Sequence, residues 1–239
     1  MPKDLMQGSS PRYAIYFTPR PSTPLALFGA SVLGYDSFSG ESDTRMDLKG
    51  IAAAALEAAT GAPRKYGFHA TLAAPLYLDD KHTEASLLEA LDTFCEKCGP
   101  AFLGSLHVNT LGDFIALTPD GAPSVDELAR QCVTFFDAFR APLGSDDIAR
   151  RSNGRLTPRQ RAHLMRWGYP YVFEDFRFHM TLTGSLDPDE KSHFLTALTD
   201  AFAPLAGQTY DVDAVSLMRQ ADSHSCFEVM ARKDLQERG

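Results

Sequence analysis

Two short segments of the sequence repeat the same pattern of residues that can do chemistry. GFHATL contains His69 and Thr71, and RFHMTL contains His179 and Thr181, so both read Phe-His-x-Thr-Leu. An imidazole, with an ordinary pKa of about 6.5, can take up or release a proton near neutral pH. A hydroxyl can donate a hydrogen bond to a phosphate oxygen. The two segments therefore predict a pair of proton-transfer groups that act on one anionic substrate.

The pattern requires a strand at each segment. Side chains at positions i and i+2 of a strand lie on one face, so each histidine would stand beside its threonine. The same face, extended backwards, adds Arg177 and Lys65 as cations for phosphate, and Tyr66 is a candidate for stacking on a base or sugar. In-line displacement at phosphorus needs an acid and a base on opposite sides. Two histidines can supply both, so no metal or other cofactor is required.

The elements that follow the two segments come in the same order. After the first come a helical pattern, TEASLLEALDTFCEKCG, and LHVNTLGDFIALTP, which predicts two strands about a tight turn. After the second come a helix that Asp187 and Pro188 begin and then VDAVSLMRQADSHSCFEVMAR, again strand, turn and strand. The sequence therefore predicts an α+β fold with an internal duplication, whose repeats span about residues 64–119 and 171–233.

Further elements precede or separate the repeats. RYAIYF predicts a strand, Thr23 a cap for the helix LALFGASVL, and MDLKGIAAAALEAAT a helix that ends near Gly61. SVDELARQCVTFFDAF predicts a helix opened by a capping box of Ser124 and Glu127. Residues 1–10 are expected to form a flexible tail, and residues 11–239 a single bilobal domain.

A basic helical connection spans about residues 145–170. Its arginines are Arg150, Arg151, Arg155, Arg159, Arg161 and Arg166. A cap at Thr157 and an amide at Gln160 predict that a helix begins here. One interpretation is a lid in which Arg155 and Arg159 bind a second phosphate of the substrate. The other is an ordinary solvated helix face.

At these residues the sequence resembles the two-histidine (2H) phosphoesterase superfamily. RYAIYF, KYGFHATL and RWGYPYVFEDFRFHMTLTG resemble an uncharacterised branch associated with bacterial phosphonate-utilisation operons. The resemblance implies two mainly antiparallel sheets related by a pseudo-two-fold axis, with helices outside and a cleft between the lobes. It implies metal-independent hydrolysis or formation of a small cyclic phosphodiester, such as a ribose cyclic phosphate. His69 and His179 would be the acid-base pair, and Thr71 and Thr181 would hold phosphate oxygens.

Composition limits the partners. The net charge of -8 argues against long nucleic acid and anionic membranes, because phosphate-rich surfaces attract basic proteins. The sequence lacks an apolar run of about 18 residues and an apolar signal-peptide core, which predicts a cytoplasmic protein. The expected partner is a small phosphorylated or cyclic-phosphate substrate.

Three alternatives stay open at this level. The protein could be a non-catalytic sensor that binds a cyclic or phosphorylated ligand in the same pocket. It could be a metal-dependent hydrolase in which the two histidines are ligands, with Asp175 as the nearest candidate for a third. An RNA-end ligase or phosphodiesterase would use the same chemistry on another substrate.

Overall fold

The computed structural model describes residues 10–152 and 156–236, and in this part it has the α+β fold that the sequence predicts. The strands are β1 (Arg12–Phe17), β2 (Ala70–Tyr77), β3 (Ala101–Leu111), β4 (Phe114–Pro119), β5 (Met180–Thr181), β6 (Thr209–Val212), β7 (Ala214–Gln220) and β8 (Phe227–Asp234). The helices are α1 (Pro24–Leu33), α2 (Ala53–Arg64), α3 (Glu84–Lys97), α4 (Pro123–Phe136), α5 (Ser145–Arg151), α6 (Pro158–Trp167) and α7 (Pro188–Phe202). The predicted flexible tail lies almost wholly outside the described residues.

The eight strands form one antiparallel sheet, not the two sheets that were expected. The strand order is β6-β3-β4-β5-β2-β1-β7-β8, and the pairing of β2 with β5 joins the two halves. Each half holds four strands. Helix α3, which follows β2, packs against β7 and β8, and α7, which follows β5, packs against β3 and β4. Each histidine strand and the helix after it therefore lie in the same half of the sheet, whereas the hairpin after the first helix, β3 and β4, lies in the half that holds β5. The internal duplication stays a prediction.

Local signals fixed several helix starts. Thr23 accepts a hydrogen bond from Ala26 N at 3.4 Å and caps α1. Thr157 and Gln160 form the predicted capping box of α6, and Asp187 caps α7. These caps satisfy backbone N–H groups that have no partner within the first turn.

Two predicted helices form, but the predictions of where or how they begin were wrong. Helix α2 begins at Ala53 and runs past Gly61 to Arg64, because the segment before it turns at Gly50 and buries Leu48 in the core. Helix α4 begins at Pro123 without a capping box, since the Ser124 hydroxyl donates to the Phe102 carbonyl at 2.8 Å instead. In both places a tertiary contact overrides the local pattern.

The core lies on one face of the sheet. It packs the strands against α1, α2, α3, α4 and α7, and it includes the two phenylalanines and two leucines of the histidine segments, which the alternation places inside. These are Phe68, Leu72, Phe178 and Leu182. The opposite face carries a small apolar cluster of Ala14, Tyr16, Met218 and Phe227. Within the ranges described above, no helix is long and apolar enough to cross a membrane.

Candidate active site

The pairing of β2 with β5 brings the two histidine segments together. Ala70 is opposite Met180 in an antiparallel register, and both side chains are buried in the core. The residues on either side of this pair therefore point to the other face of the sheet. They are His69, Thr71, His179 and Thr181. The register places each histidine opposite the threonine of the other segment.

Strand β5 is shorter than the sequence predicts. It comprises only Met180 and Thr181, because Leu182 N and Thr183 N both donate to the Ile115 carbonyl, at 2.9 and 3.2 Å. Two residues thus oppose one, and the ladder ends there. His69 and His179 each lie immediately before their strands, at the edge of an open cavity.

The cavity has a volume of about 440 Å³ and is lined by both histidines and both threonines. Its other charged and aromatic lining residues are Arg12, Tyr16, Tyr66, Phe114, Arg150, Arg151 and Tyr169. A cavity of this size lies within the range of small-molecule binding sites.

Both imidazoles are held in the same tautomer. His69 Nδ1 lies 2.8 Å from the Gly67 carbonyl oxygen, and His179 Nδ1 lies 2.8 Å from the Arg177 carbonyl oxygen. A carbonyl oxygen can only accept, so each Nδ1 carries a proton and donates it. The Nε2 atom of each neutral ring is therefore the basic atom. Thr71 Oγ1 lies 3.3 Å from Nε2 of His69.

The first of these hydrogen bonds depends on a glycine. Gly67 has a φ of +68°, in the left-handed region that side chains disfavour. A Cβ at this position would lie 2.7 Å from the Cβ of Ser37. Glycine is thus the residue that lets the chain turn from α2 into β2 with its carbonyl directed at His69.

Aromatic neighbours cover His69. Tyr16 is opposite Thr71 in the β1–β2 register, and its ring stacks on His69 with centroids 3.8 Å apart and planes 18° apart. Tyr66 lies 6.2 Å from the His69 ring and stacks on Phe227. Burial raises the pKa of the Tyr16 hydroxyl far above its ordinary range, so this group stays protonated.

Burial also controls the charge of the two histidines. Burial, with the nearby His179 as a smaller cause, lowers the pKa of His69 to about 4. Burial lowers the pKa of His179 as well. Both rings are therefore neutral at pH 7 in the free protein. A phosphate anion in the cavity would raise both pKa values, because it favours the imidazolium form.

The other sequence-predicted site residues are distributed unevenly. Tyr66 lines the cavity of the histidines, whereas Arg177 and Arg159 line an adjoining cavity of about 590 Å³. The two cavities share Thr71, Ala74, Phe114, Tyr169 and His179. Lys65 is exposed at the end of α2, lines neither cavity, and contributes its carbonyl oxygen to a bond from Phe227 N at 2.7 Å. Arg155 lies outside the described residues.

The region of α6 holds an ion pair that the sequence did not predict. Arg159 donates two hydrogen bonds of 2.9 Å to the carboxylate of Asp175, and Gln160 adds a third of 3.1 Å. Asp175, the candidate third ligand of a metal, is thus bound to α6. In residues 10–152 and 156–236 no group of three or more His, Cys, Asp or Glu side chains is arranged to hold a metal ion.

Sequence reasoning missed Tyr16 and Arg12 as site residues. Both lie in the strand RYAIYF, four residues apart, and so share a face. The alternation of side chains along this strand could have placed Arg12 and Tyr16 on the same face. The missing information was the pairing of β1 with β2, which places this face beside the histidines.

Comparison with known proteins identifies the family. Residues 71–228 match the family model described as "Protein of unknown function (DUF1045)". This match covers more than half of the chain, and the protein belongs to that family.

Two curated proteins, both named ribose 1,5-bisphosphate phosphokinase PhnN, are similar to this chain. The protein of Janthinobacterium sp. (strain Marseille) is 40% identical over 224 residues, which are 89% of this chain and 48% of that protein. The protein of Laribacter hongkongensis (strain HLHK9) is 33% identical over 228 residues, 91% of this chain and 50% of that protein. The chain thus spans about half the length of the curated relatives it matches.

One solved structure aligns with almost the whole chain. It is the crystal structure of the protein TT0787 of Thermus thermophilus, with a TM-score of 0.43 and 16% sequence identity over 94% of this chain and 97% of that one.

Proposed function

We propose that the protein is a 2H phosphoesterase that opens, or in reverse forms, a small cyclic phosphodiester without a metal. The observation that carries the proposal is the pair of equivalent imidazoles. Each donates from Nδ1 to the carbonyl two residues before it, each lies opposite the other segment's threonine, and both line one cavity. Such a pair can present one base and one acid to a single phosphorus.

We propose the two roles from the surroundings of the rings. Burial lowers the pKa of both, and that of His69, on whose ring Tyr16 stacks, falls to about 4. His69 would therefore be the base, and His179 would hold the proton as the acid. His69 Nε2 would accept a proton from water as the water oxygen bonds to phosphorus. His179 would give its Nε2 proton to the ring oxygen as its bond to phosphorus breaks. The products are a phosphomonoester and a free hydroxyl, and the roles exchange when the ring forms.

The threonines and cations would act on the phosphate itself. Thr71 and Thr181 would donate hydrogen bonds to the non-bridging oxygens, where charge develops in the transition state. Arg177 and Tyr66 would bind the rest of the substrate from the two cavities.

The names of the relatives support a phosphorylated ribose as substrate. Ribose 1,5-bisphosphate is what those proteins phosphorylate by name. Opening the ring of a ribose 1,2-cyclic phosphate that carries a 5-phosphate would yield ribose 1,5-bisphosphate. We therefore propose that this chain supplies the compound that such kinases consume, in phosphonate metabolism.

The test is phosphorus NMR of a substrate panel in excess chelator. The panel comprises 2',3'-cyclic nucleotides and ribose 1,2-cyclic phosphate with and without a 5-phosphate. The wild type should open at least one ring, and His179→Ala should not. Turnover that the chelator abolishes would instead favour a metal-dependent hydrolase.

Two more arms separate the remaining alternatives. Binding of a panel member without turnover would favour a sensor. Phosphorylation of ribose 1,5-bisphosphate, measured with ATP and Mg²⁺ in place of the chelator, would favour the kinase activity in the relatives' name.

A further inference from the structure

Two arginines of the histidine cavity hold their charges without a carboxylate. Arg12 donates from Nε to Gln220 Oε1 at 2.8 Å, and a second bond from its Nη2 goes to the same oxygen. Arg151 donates to the carbonyl oxygens of Gly168 and Pro75, the latter at 2.8 Å. All of these acceptors are neutral. Among the described residues, no Asp or Glu forms an ion pair with either guanidinium.

The two charges also act on each other. Burial lowers the pKa of Arg151, and the positive charges of Arg150 and Arg12 lower it further. Asp147 opposes this effect, but its carboxylate is paired with Arg150. Partly desolvated like charges with neutral partners are unfavourable until an anion joins them. The cavity therefore concentrates positive charge in a chain whose net charge is -8.

The surroundings of Arg12 fix its position. Gln220 is 2% exposed and donates from Nε2 to the Ser225 carbonyl at 2.8 Å, so its Oε1 must face Arg12. The Arg12 guanidinium also lies 5.5 Å from the centre of the Phe227 ring. Because both arginines are anchored through part of their N–H groups, the remaining N–H groups are available to the cavity.

The position of Arg12 differs from that of the reacting phosphorus. Phosphorus under attack must lie between His69 and His179, next to the ring of Tyr16. Arg12 is four residues before Tyr16 on β1, so their Cα atoms are about 13 Å apart along the strand. Tyr66 and Tyr169 line the same cavity and offer apolar faces for a sugar ring.

We infer that Arg12 and Arg151 form a subsite for a second phosphate group, remote from the phosphorus under attack, so that the enzyme selects doubly phosphorylated substrates. The inference rests on the proposed function for its substrate and names a subsite within it. It moves the second-phosphate role from Arg155 and Arg159 to residues that line the histidine cavity. Arg159 is paired with Asp175 beside the adjoining cavity.

The first test compares two substrates that differ only at the remote phosphate. These are ribose 1,2-cyclic phosphate with and without a 5-phosphate, and the measured quantity is the ratio of their kcat/KM values. Arg12→Gln and Arg151→Gln should each lower this ratio about 10- to 100-fold, because each removes a charge-assisted hydrogen bond to phosphate. Arg161→Gln, at an exposed position that lines neither cavity, is the matched control and should keep the ratio. A ratio that survives in both arginine variants would overturn the inference.

A second variant leaves both arginines in place. Gln220→Glu would give Arg12 a carboxylate partner and so reduce its attraction for phosphate. The ratio should again fall, by about tenfold. This variant replaces Arg151→Gln as the test if loss of the bonds to Gly168 and Pro75 prevents folding. An unchanged ratio in folded Gln220→Glu would count against the subsite.

A binding measurement separates the subsite from the proposed reaction. Calorimetry with ribose 5-phosphate, on protein carrying His179→Ala, requires no turnover. Binding that Arg12→Gln weakens about tenfold or more would support the subsite even if no ring is opened. Absence of binding, or binding that Arg12→Gln leaves unchanged, would overturn the subsite even if the cyclic phosphodiesterase reaction is found.

Discussion

His69 and His179 have the same sequence pattern and the same Nδ1 hydrogen bond, but different surroundings. His69 precedes an eight-residue strand, and Tyr16 stacks on its ring. His179 precedes a strand of two residues, lines both cavities, and has the Phe114 ring at 5.8 Å in a tilted arrangement. The repeated pattern therefore sets the tautomer of each ring, whereas the neighbours on β1 and β4 set its pKa.

The largest expected effect is the loss of either histidine. His69→Gln and His179→Gln should each lower kcat about 100- to 10,000-fold, because each removes one proton-transfer group. The double variant should lose little more than the worse single variant, since the two act together. His224→Gln, at an exposed turn, is the control.

The pH profile of the same variants tests the division of roles. A base causes the acidic limb of a kcat/KM profile and an acid causes the alkaline limb. The residual activity of His69→Gln should lack the acidic limb, and that of His179→Gln the alkaline limb. The reverse pattern would exchange the two roles.

The difference in pKa should also appear in stability. The folded-state pKa of His69 is about 4, below its ordinary value of about 6.5, so the unfolded chain binds more protons between these values. The contribution of His69 to stability is therefore lost as pH falls from about 6.5 to 4, and not above that range. The full loss of stability is on the order of 3 kcal/mol, and about 2 kcal/mol of it falls between pH 7.5 and pH 5.

Urea unfolding at pH 7.5 and pH 5 measures this cost. The wild type should lose stability between the two values, and His69→Gln should lose less of it. His179→Gln should reduce the loss by a smaller amount. Equal changes in both variants would contradict the proposed difference between the two environments.

Part of this arrangement could be predicted from local sequence. The alternation of Phe-His-x-Thr-Leu assigned the core and cavity faces, and the caps at Thr23, Thr157 and Asp187 placed three helix starts. These features depend on residues within one turn or one strand, so the local sequence is sufficient to predict them.

The remainder depends on contacts between distant parts of the chain. The pairing of Ala70 with Met180 joins residues 110 positions apart and makes one sheet instead of two. The pairing of Tyr16 with Thr71 adds β1 to the site. Burial of Leu48 places the start of α2 later in the chain than the sequence predicts. The ion pair of Arg159 with Asp175 forms because α6 packs beside the segment that contains Asp175. Periodicity within a segment contains no information on such partners.

A smaller effect is expected at the carbonyls that orient the rings. Gly67 and Arg177 occupy equivalent positions two residues before each histidine, yet only Gly67 has a positive φ, of 68°. Gly67→Ala should lower the free energy of unfolding by about 1–3 kcal/mol and reduce kcat, because the strained turn would move the carbonyl bound to His69.

The matched control for this change lies in α2. Gly61 is helical and has open space around its Cα, so Gly61→Ala should raise the free energy of unfolding by about 0.5–1 kcal/mol and leave kcat unchanged. If Gly67→Ala behaved in the same way, the strained turn would not be what orients His69.

The smallest expected effect concerns the ring that distinguishes the two histidines. Tyr16→Leu removes the stacked ring, admits water to His69, and should raise its pKa by about one unit or more toward 6.5. Histidine NMR titration measures both rings in one sample. Phe114→Leu, the matched change beside His179, should raise the pKa of His179 less, because the Phe114 ring is tilted and more distant. A His69 pKa that stays near 4 in Tyr16→Leu would assign its depression to burial by groups other than the Tyr16 ring.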